Sequence, residues 1–195
     1  FLDAVWSIAE IDGDLACIET AHIYKGRGKD PTNIRSFRPL GLAEPLLSLV
    51  VDVLHLRLSY FLWRYVGPRQ LGGRTDARYH VVVFRSVGAA RRQRKVPSVD
   101  ALVDAKFGFD GGRHAQVLVQ LHLAGAHPRD WLITESLLRN FTIHVRVLQD
   151  GKLVALLPLV LPDGGSMVQG LSASGGLYSL LPVLLDERLR STLPL

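Results

Sequence analysis

The chain has 195 residues, of which 48% are hydrophobic and 21% are charged, and its formal net charge is +5. This composition excludes a disordered chain and fits one domain or part of a larger one. The single cysteine excludes an internal disulfide framework and a zinc knuckle, and it fits a reducing, intracellular location in the nucleus or cytoplasm. No uninterrupted apolar run reaches the roughly 18 residues of a membrane span, so we expect no membrane partner.

Charge is unevenly distributed along the chain. Residues 1–20 carry five acidic side chains and no lysine or arginine. Two later segments, 25–38 and 85–95, are strongly basic, and the second contains no acid. Basic segments of this kind can neutralise the phosphates of nucleic acid, although solvated loops have the same composition.

The first half of the chain predicts a strand, a basic turn and a long helix. An apolar-rich run over 15–24 indicates a strand, and the glycine-rich segment that follows indicates a turn. An apolar-periodic helix is predicted from Pro45 to about Val66, because proline is favoured in a first helical turn. Residues 79–87 fit either a helix or a strand, and 88–98 predict a basic loop.

The second half begins with a predicted strand and two predicted helices. Residues 99–103 are typical of a buried strand, and 113–124 have helical spacing. Asp130 is predicted to be the N-cap of a helix over 131–139, because aspartate is favoured at that position.

A hairpin and a last helix are predicted to follow. Apolar and polar residues alternate over 141–147, which indicates a half-buried strand. Asp-Gly at 150–151 is typical of a two-residue hairpin turn, so 152–161 should return beside the first strand. Pro158 favours an edge position for that strand. Residues 171–189 predict a helix with a proline kink.

This order of elements predicts an α+β fold. Runs of strands and helices that do not alternate regularly favour an antiparallel sheet with helices packed on one face. We therefore expect one layer of strands and one layer of helices.

The segment Tyr-Lys-Gly-Arg-Gly-Lys-Asp-Pro, followed by Phe-Arg-Pro-Leu-Gly-Leu, concentrates cations around a turn. Its cationic side chains suit phosphate groups, and the planar fork of arginine suits them best. The residues concerned are Lys25, Arg27, Lys29 and Arg38.

Two further segments carry residue types associated with chemistry. Asp104 directly follows the predicted strand over 99–103, and a carboxylate there can hold a hard cation such as Mg²⁺ or simply cap the following turn. Phe109 follows five residues later, and on local sequence alone it fits an ordinary core phenylalanine equally well. Gln169-Gly170 opens the predicted last helix, where glycine allows close approach of the backbone to a ligand; a glycine-rich helix start is the simpler interpretation.

Taken in this order, the three segments resemble the reverse transcriptase domain of LINE-like (non-LTR) retrotransposons. The basic segment is similar to the start of the fingers, Asp-Ala-Lys-Phe-Gly-Phe-Asp to motif A, and Gln-Gly-Leu-Ser-Ala-Ser to motif B. Phe107-Gly108 and Gly175 depart from the family pattern of Lys-Ala and Pro. The resemblance implies a partial right-hand polymerase fold, with a fingers-like region over 1–98 and a partial palm over 99–195.

The resemblance also implies an activity, an RNA-directed DNA polymerase that transfers nucleotides by two-metal phosphoryl transfer when complete. It implies Mg²⁺ at the catalytic Asp104 and an aromatic ring at Phe109 that excludes ribonucleotides. The other implied substrate-binding residues are Lys25, Arg27, Lys29, Arg38, Gln169 and Gly170. The implied partners are an RNA template, a DNA primer, deoxynucleoside triphosphates and the remainder of a larger polyprotein.

The family's third motif, an aromatic-Ala-Asp-Asp turn, is absent from these 195 residues. We therefore expect a fragment that is inactive by itself. The alternative is a catalytically inactive retrotransposon-derived remnant that binds nucleic acid non-specifically, and an unrelated α+β interaction module is a third possibility. If the polymerase interpretation holds, Asp104 and Gln169 should share one side of a sheet, and the strands over 15–24 and 37–42 should form a separate fingers layer.

Overall fold

The computed structural model describes residues 1–26, 28–33, 36–67, 78–95, 112–149, 152–159 and 171–182. These ranges contain six helices and four strands. In chain order the elements are α1 (Leu2–Ile8), β1 (Cys17–Tyr24), β2 (Phe37–Ala43), α2 (Pro45–Val66), α3 (Arg78–Gln93), α4 (His114–Leu123), α5 (Pro128–Asn140), β3 (Thr142–Gln149), β4 (Lys152–Leu159) and α6 (Ser172–Tyr178). The α+β character expected from the sequence is confirmed at this level.

The four described strands form one mixed sheet in the order β2-β1-β3-β4. β1–β2 and β3–β4 are antiparallel pairs, whereas β1 and β3 run parallel with Ile18 opposite Ile143. The prediction of a wholly antiparallel sheet is therefore wrong at the central pair. Short turns between neighbouring strands indicate only antiparallel pairing, and a parallel pair requires a long crossover that leaves no local signal.

The pairing of β1 with β3 also corrects the expectation of a separate fingers layer. β1 and β2 lie in the region 1–98, and β3 and β4 lie in 99–195, yet all four strands belong to one sheet. The division into these two regions stays a prediction. The edge position expected from Pro158 agrees with the structure, because β4 is an outer strand among the four described strands.

The two faces of the sheet have different surroundings. Ile18 and Ile143 lie on one face and join the hydrophobic core with the helices. On the other face, Glu19 Oε2 and Arg146 Nε form a 3.0 Å ion pair. This difference is what helices packed on one face would produce.

Most helix predictions agree with the structure, and the three that need correction concern α3, α5 and α6. α2 spans the predicted residues, and α4 matches the spacing found over 113–124. The ambiguous segment 79–87 is helical, and α3 continues to Gln93, so the loop predicted over 88–98 is wrong for its first part. Alanine, arginine and glutamine are good helix formers, and they extend the helix past Gly88. α6 ends at Tyr178, earlier than predicted, and residues 183–189 lie outside the described ranges.

The core is built mainly on α2. Buried side chains along this helix pack with α4, α5, α6 and the inner face of the sheet; they are Leu47, Val50, Val51, Leu54, Leu58, Leu62 and Val66. Gly176 of α6 lies close to α2, since a Cβ atom placed there would be 3.2 Å from Leu62 Cδ1. An alanine at this position would therefore require the Leu62 side chain to shift by a few tenths of an ångström.

α2 is also the one described helix with the length and composition of a membrane span. Its most apolar 18-residue window has a mean hydropathy of 1.5, and 33% of that window is buried inside the protein. A core helix of a soluble protein passes the same test, and seven side chains of α2 are buried in the hydrophobic core.

Asp130 is not the N-cap that the sequence predicts. α5 begins at Pro128, and His127 is the N-cap, with Nδ1 accepting a 3.3 Å hydrogen bond from the backbone N–H of Arg129. Proline is favoured at the first helical position, so the cap falls upstream of Asp130. Asp130 is only 1% exposed, and its Oδ1 accepts hydrogen bonds from Arg57 Nε at 2.7 Å and Trp6 Nε1 at 2.9 Å.

Candidate nucleic-acid interface

The predicted basic turn is the loop of a β-hairpin formed by β1 and β2. The strand ladder ends with Tyr24 opposite Phe37, and their ring centroids are 5.5 Å apart. Beyond them, the backbone N–H of Lys25 donates a 2.8 Å hydrogen bond to the carbonyl of Ser36. The two strands therefore hold both ends of the loop.

The tip of the hairpin is organised by Asp30. Its carboxylate accepts hydrogen bonds from the hydroxyl of Thr32 at 2.7 Å and from the backbone N–H of Thr32 at 2.9 Å. These two bonds, the hydroxyl first, hold the pKa of Asp30 below its ordinary value. The hydroxyl of Tyr24 donates to the carbonyl of Lys29. An Asx turn of this type fixes a tight reversal of the backbone.

Three of the predicted phosphate-binding side chains belong to this hairpin. Lys25 and Lys29 lie in the loop and Arg38 lies on β2, and all three are exposed. Arg27 lies outside the described residues. Exposed cations on a hairpin that is held by its own strands can contact a polyanion backbone, but they supply no acid–base or nucleophilic group.

The second basic segment is helical. Five exposed cationic side chains lie along α3 and just after it, with no acid among residues 85–95; they are Arg85, Arg91, Arg92, Arg94 and Lys95. Cations near the end of a helix are favoured by the helix dipole, so this arrangement also has a purely structural explanation.

The segment resembling motif B contributes to the core and to a cleft. Within α6, Ser174 and Leu177 are buried. Leu171 and Ser172, at the start of α6, line a cleft of about 410 Å³ together with Gly41 and Leu42 of β2. Asp52 of α2 also lines this cleft and is exposed. Two segments that sequence analysis singled out separately thus meet in space.

The predicted metal site falls outside the described residues. This applies to Asp104, Phe109, Gln169 and Gly170, so their predicted juxtaposition stays a prediction. Within the described ranges, no group of three or more His, Cys, Asp or Glu side chains is arranged to hold a metal ion.

Asp52 was not among the residues predicted from the sequence, although the sequence contains a signal for it. Residues 45–66 are strongly apolar and contain one carboxylate, and an isolated acid on such a helix indicates a position at the rim of a cleft or a paired position. The grouping of Trp6 and Arg57 around Asp130 was not predicted either. That grouping depends on contacts between residues 124 and 73 positions apart, which leave no local pattern.

Comparisons with known proteins add no assignment. No protein-family model matches this chain, and no curated protein is significantly similar to it.

Proposed function

We propose that this chain is the fingers and part of the palm of an RNA-directed DNA polymerase of the LINE-like type. The observation that carries the proposal is the shared cleft. Gly41 and Leu42 belong to the segment that resembles the fingers, and Leu171 and Ser172 belong to the segment that resembles motif B. A substrate cleft formed by fingers and palm would require these two segments to lie next to each other.

The basic hairpin supports the same proposal. In a polymerase, exposed cations beside the active cleft bind the phosphates of template, primer or incoming nucleotide. Lys25, Lys29 and Arg38 are suited to this role because the hairpin that carries them is closed by its own hydrogen bonds. Phosphate binding by these residues does not require the metal.

The metal belongs to the part of the proposal that rests on resemblance. Bound Mg²⁺ would activate the primer hydroxyl and neutralise the leaving pyrophosphate, and Asp104 is the residue that would hold it. The substrates would be an RNA template, a DNA primer and deoxynucleoside triphosphates.

Binding of an RNA–DNA hybrid across a salt series tests the role of the hairpin. We expect a log–log slope of roughly −0.7 to −0.9 for each phosphate neutralised. Replacing Lys25, Arg27 and Lys29 together by alanine should flatten the slope by about two to three units, because each side chain would release one set of counterions. Fluorescence anisotropy of a labelled hybrid measures the slope.

A matched triple variant serves as the control for charge alone. Arg64, Arg139 and Lys152 are exposed and lie on α2, α5 and β4, so their replacement by alanine removes the same charge elsewhere. The proposal requires that this control keep most of the slope. Equal flattening in both variants would show that the hairpin is not a specific contact surface.

Photocrosslinking tests the cleft itself. A benzophenone amino acid at Leu42 or at Ser172 should crosslink to a labelled RNA–DNA hybrid, because both positions line the shared cleft. The same group at Leu148, which is exposed on β3, should not. Crosslinking that is equal at all three positions would contradict a defined substrate cleft and would favour the alternative, a remnant that binds nucleic acid non-specifically.

A further inference from the structure

A second and larger cleft lies away from the residues assigned above. It has a volume of about 680 Å³ and is lined by side chains from α1, α2 and the start of α5. The polar side chains in its lining are Asp3, Arg57, His127 and Arg129, and Trp6 lies beside them. None of these residues belongs to the three segments that resemble a reverse transcriptase.

Arg57 is held in one orientation by the residues beneath it. Its Nε donates to the buried carboxylate of Asp130 at 2.7 Å, and its guanidinium carbon lies 5.6 Å from the ring centroid of Trp6. Trp6 is itself fixed, because its Nε1 donates to the same carboxylate oxygen at 2.9 Å. Among the described residues, the two terminal nitrogens of Arg57 have no hydrogen-bond partner, so they stay available to a ligand.

Arg129 is connected to the same group. Its Nη1 donates to the carbonyl of Trp6 at 3.3 Å, and its other side-chain nitrogens have no partner among the described residues. His127 Nδ1 accepts from the backbone N–H of Arg129, so the neutral ring carries its proton on Nε2 and can donate there. Two guanidinium groups and one imidazole therefore line a single cleft as hydrogen-bond donors.

We propose that this cleft binds a phosphate monoester. Each guanidinium offers a planar fork of N–H groups, and a ligand must present several acceptor oxygens to satisfy both forks. A phosphate monoester has three terminal oxygens and a charge near −2 at neutral pH, whereas a carboxylate has two oxygens and one charge. A phosphodiester has two free oxygens, so it matches the donors less well. This proposal is independent of the polymerase function.

The charges of the cleft predict the direction in which the affinity for phosphate changes when Asp3 is replaced. Asp130 balances Arg57 from below, and Asp3 places a further negative charge in the lining. Asp3 has no role as an anion ligand and would repel a phosphate. Removing its charge should therefore strengthen binding, the opposite of the usual effect of changing a residue in a binding site.

Two-dimensional NMR of the indole N–H groups reports on this cleft directly. The probes are methyl phosphate as the monoester, dimethyl phosphate as the diester, and acetate. We expect methyl phosphate to shift the Trp6 signal in a saturable way and the other two anions to bind at least about tenfold more weakly, which corresponds to the loss of a hydrogen bond between charged groups. Trp131 donates to the carbonyl of Leu118 at 2.8 Å outside the cleft lining, so its signal is the internal reference.

Three variants complete the test. Arg129→Ala should weaken methyl phosphate binding by about tenfold or more, and Asp3→Asn should strengthen it by about two- to fivefold. Arg139→Ala removes an exposed cation from the other end of α5 and should leave the affinity unchanged. All three changes are at exposed side chains, so the protein should stay folded.

The proposal is overturned if methyl phosphate does not shift the Trp6 signal, or if dimethyl phosphate or acetate binds as tightly. It is also overturned if Arg139→Ala weakens binding as much as Arg129→Ala, since attraction would then follow overall charge. Weaker binding by Asp3→Asn would likewise contradict the assignment of the two arginines as the anion ligands.

Discussion

The carboxylate of Asp130 joins three helices at one point. It lies on α5 and accepts hydrogen bonds from Trp6 of α1 and Arg57 of α2 while almost completely buried. Removing a buried carboxylate leaves both donors without their partner, and such losses are among the larger effects of single substitutions.

We predict that Asp130→Ala lowers the free energy of unfolding by about 2–4 kcal/mol. Arg57 is partly exposed and can regain water, which keeps the effect below that of a fully buried pair. Chemical denaturation measures the change. Glu135→Ala on the same helix removes a surface ion pair with Arg139 and should cost less than about 1 kcal/mol. Similar losses for the two variants would show that the Asp130 network contributes little.

His55 is a second residue whose surroundings predict a measurable effect. Its Nδ1 is buried without a hydrogen-bond partner among the described residues, and the imidazole lies against Gly176 of α6. Burial lowers the pKa of His55 below its ordinary value of 6.5, and the nearby Asp52 opposes this shift only in part. The folded protein therefore favours the neutral imidazole.

The free energy of unfolding should consequently depend on pH, because His55 binds a proton at different pH values in the folded and unfolded states. Because the pKa is lower in the folded state, the unfolded chain binds a proton first as the pH falls below about 6.5. The contribution of neutral His55 is complete above that pH and is lost as the pH falls toward the folded pKa. We expect His55→Leu to reduce this part of the pH dependence between pH 7.5 and 5, measured by denaturation at each pH. His22→Leu, at an exposed position, is the control and should leave it in place.

At the scale of elements, the β1–β2 hairpin depends on backbone conformations that only glycine adopts readily. Gly26 and Gly28 have φ angles of +96° and +81°, and a Cβ atom at either position would meet no other atom within 4 Å. Any cost of substitution there would come from the backbone alone.

We predict that Gly26→Ala destabilises the protein by about 1–2 kcal/mol. Gly13→Ala is a matched control, because that glycine also has open space around it but no positive φ, so its replacement should be close to neutral. Thermal or chemical unfolding compares the two. A neutral Gly26→Ala variant would mean that the loop relaxes to another conformation. Weaker binding of nucleic acid by that variant would then show that the original loop conformation is needed for binding.

The sequence predicts local elements well and their long-range pairing poorly. The spacing of apolar residues predicts α2 and the alternation around Ile143 predicts β3, since both patterns follow from one helical or one strand period. The parallel pairing of β1 with β3 and the burial of Asp130 depend on residues that are distant in sequence. For the candidate site, the cations of the hairpin are predictable, but the cleft shared by Leu42 and Ser172 is not.

At the scale of the whole molecule, the proposed polymerase function leads to an expectation for the activity of these 195 residues by themselves. Two-metal nucleotidyl transfer requires several carboxylates to hold the ions, and these 195 residues contain no aromatic-Ala-Asp-Asp segment. We predict that the isolated chain does not extend a DNA primer on an RNA template in the presence of Mg²⁺. A poly(rA)/oligo(dT) extension assay measures this, with an established reverse transcriptase as the positive control. Clear incorporation by the purified chain would contradict the prediction.

The parallel contact between β1 and β3 has a consequence for the order of events during synthesis. Cys17 and His144 form a 3.1 Å contact although they are 127 positions apart in the chain. The β1–β2 hairpin can form as soon as it leaves the ribosome. The edge of β1 that faces away from β2 must stay unpaired until β3 is translated. An unpaired strand edge can join the wrong chain, so synthesis passes through an interval in which the nascent protein is prone to aggregate. Shielding of β1 by a chaperone during that interval would favour the native sheet.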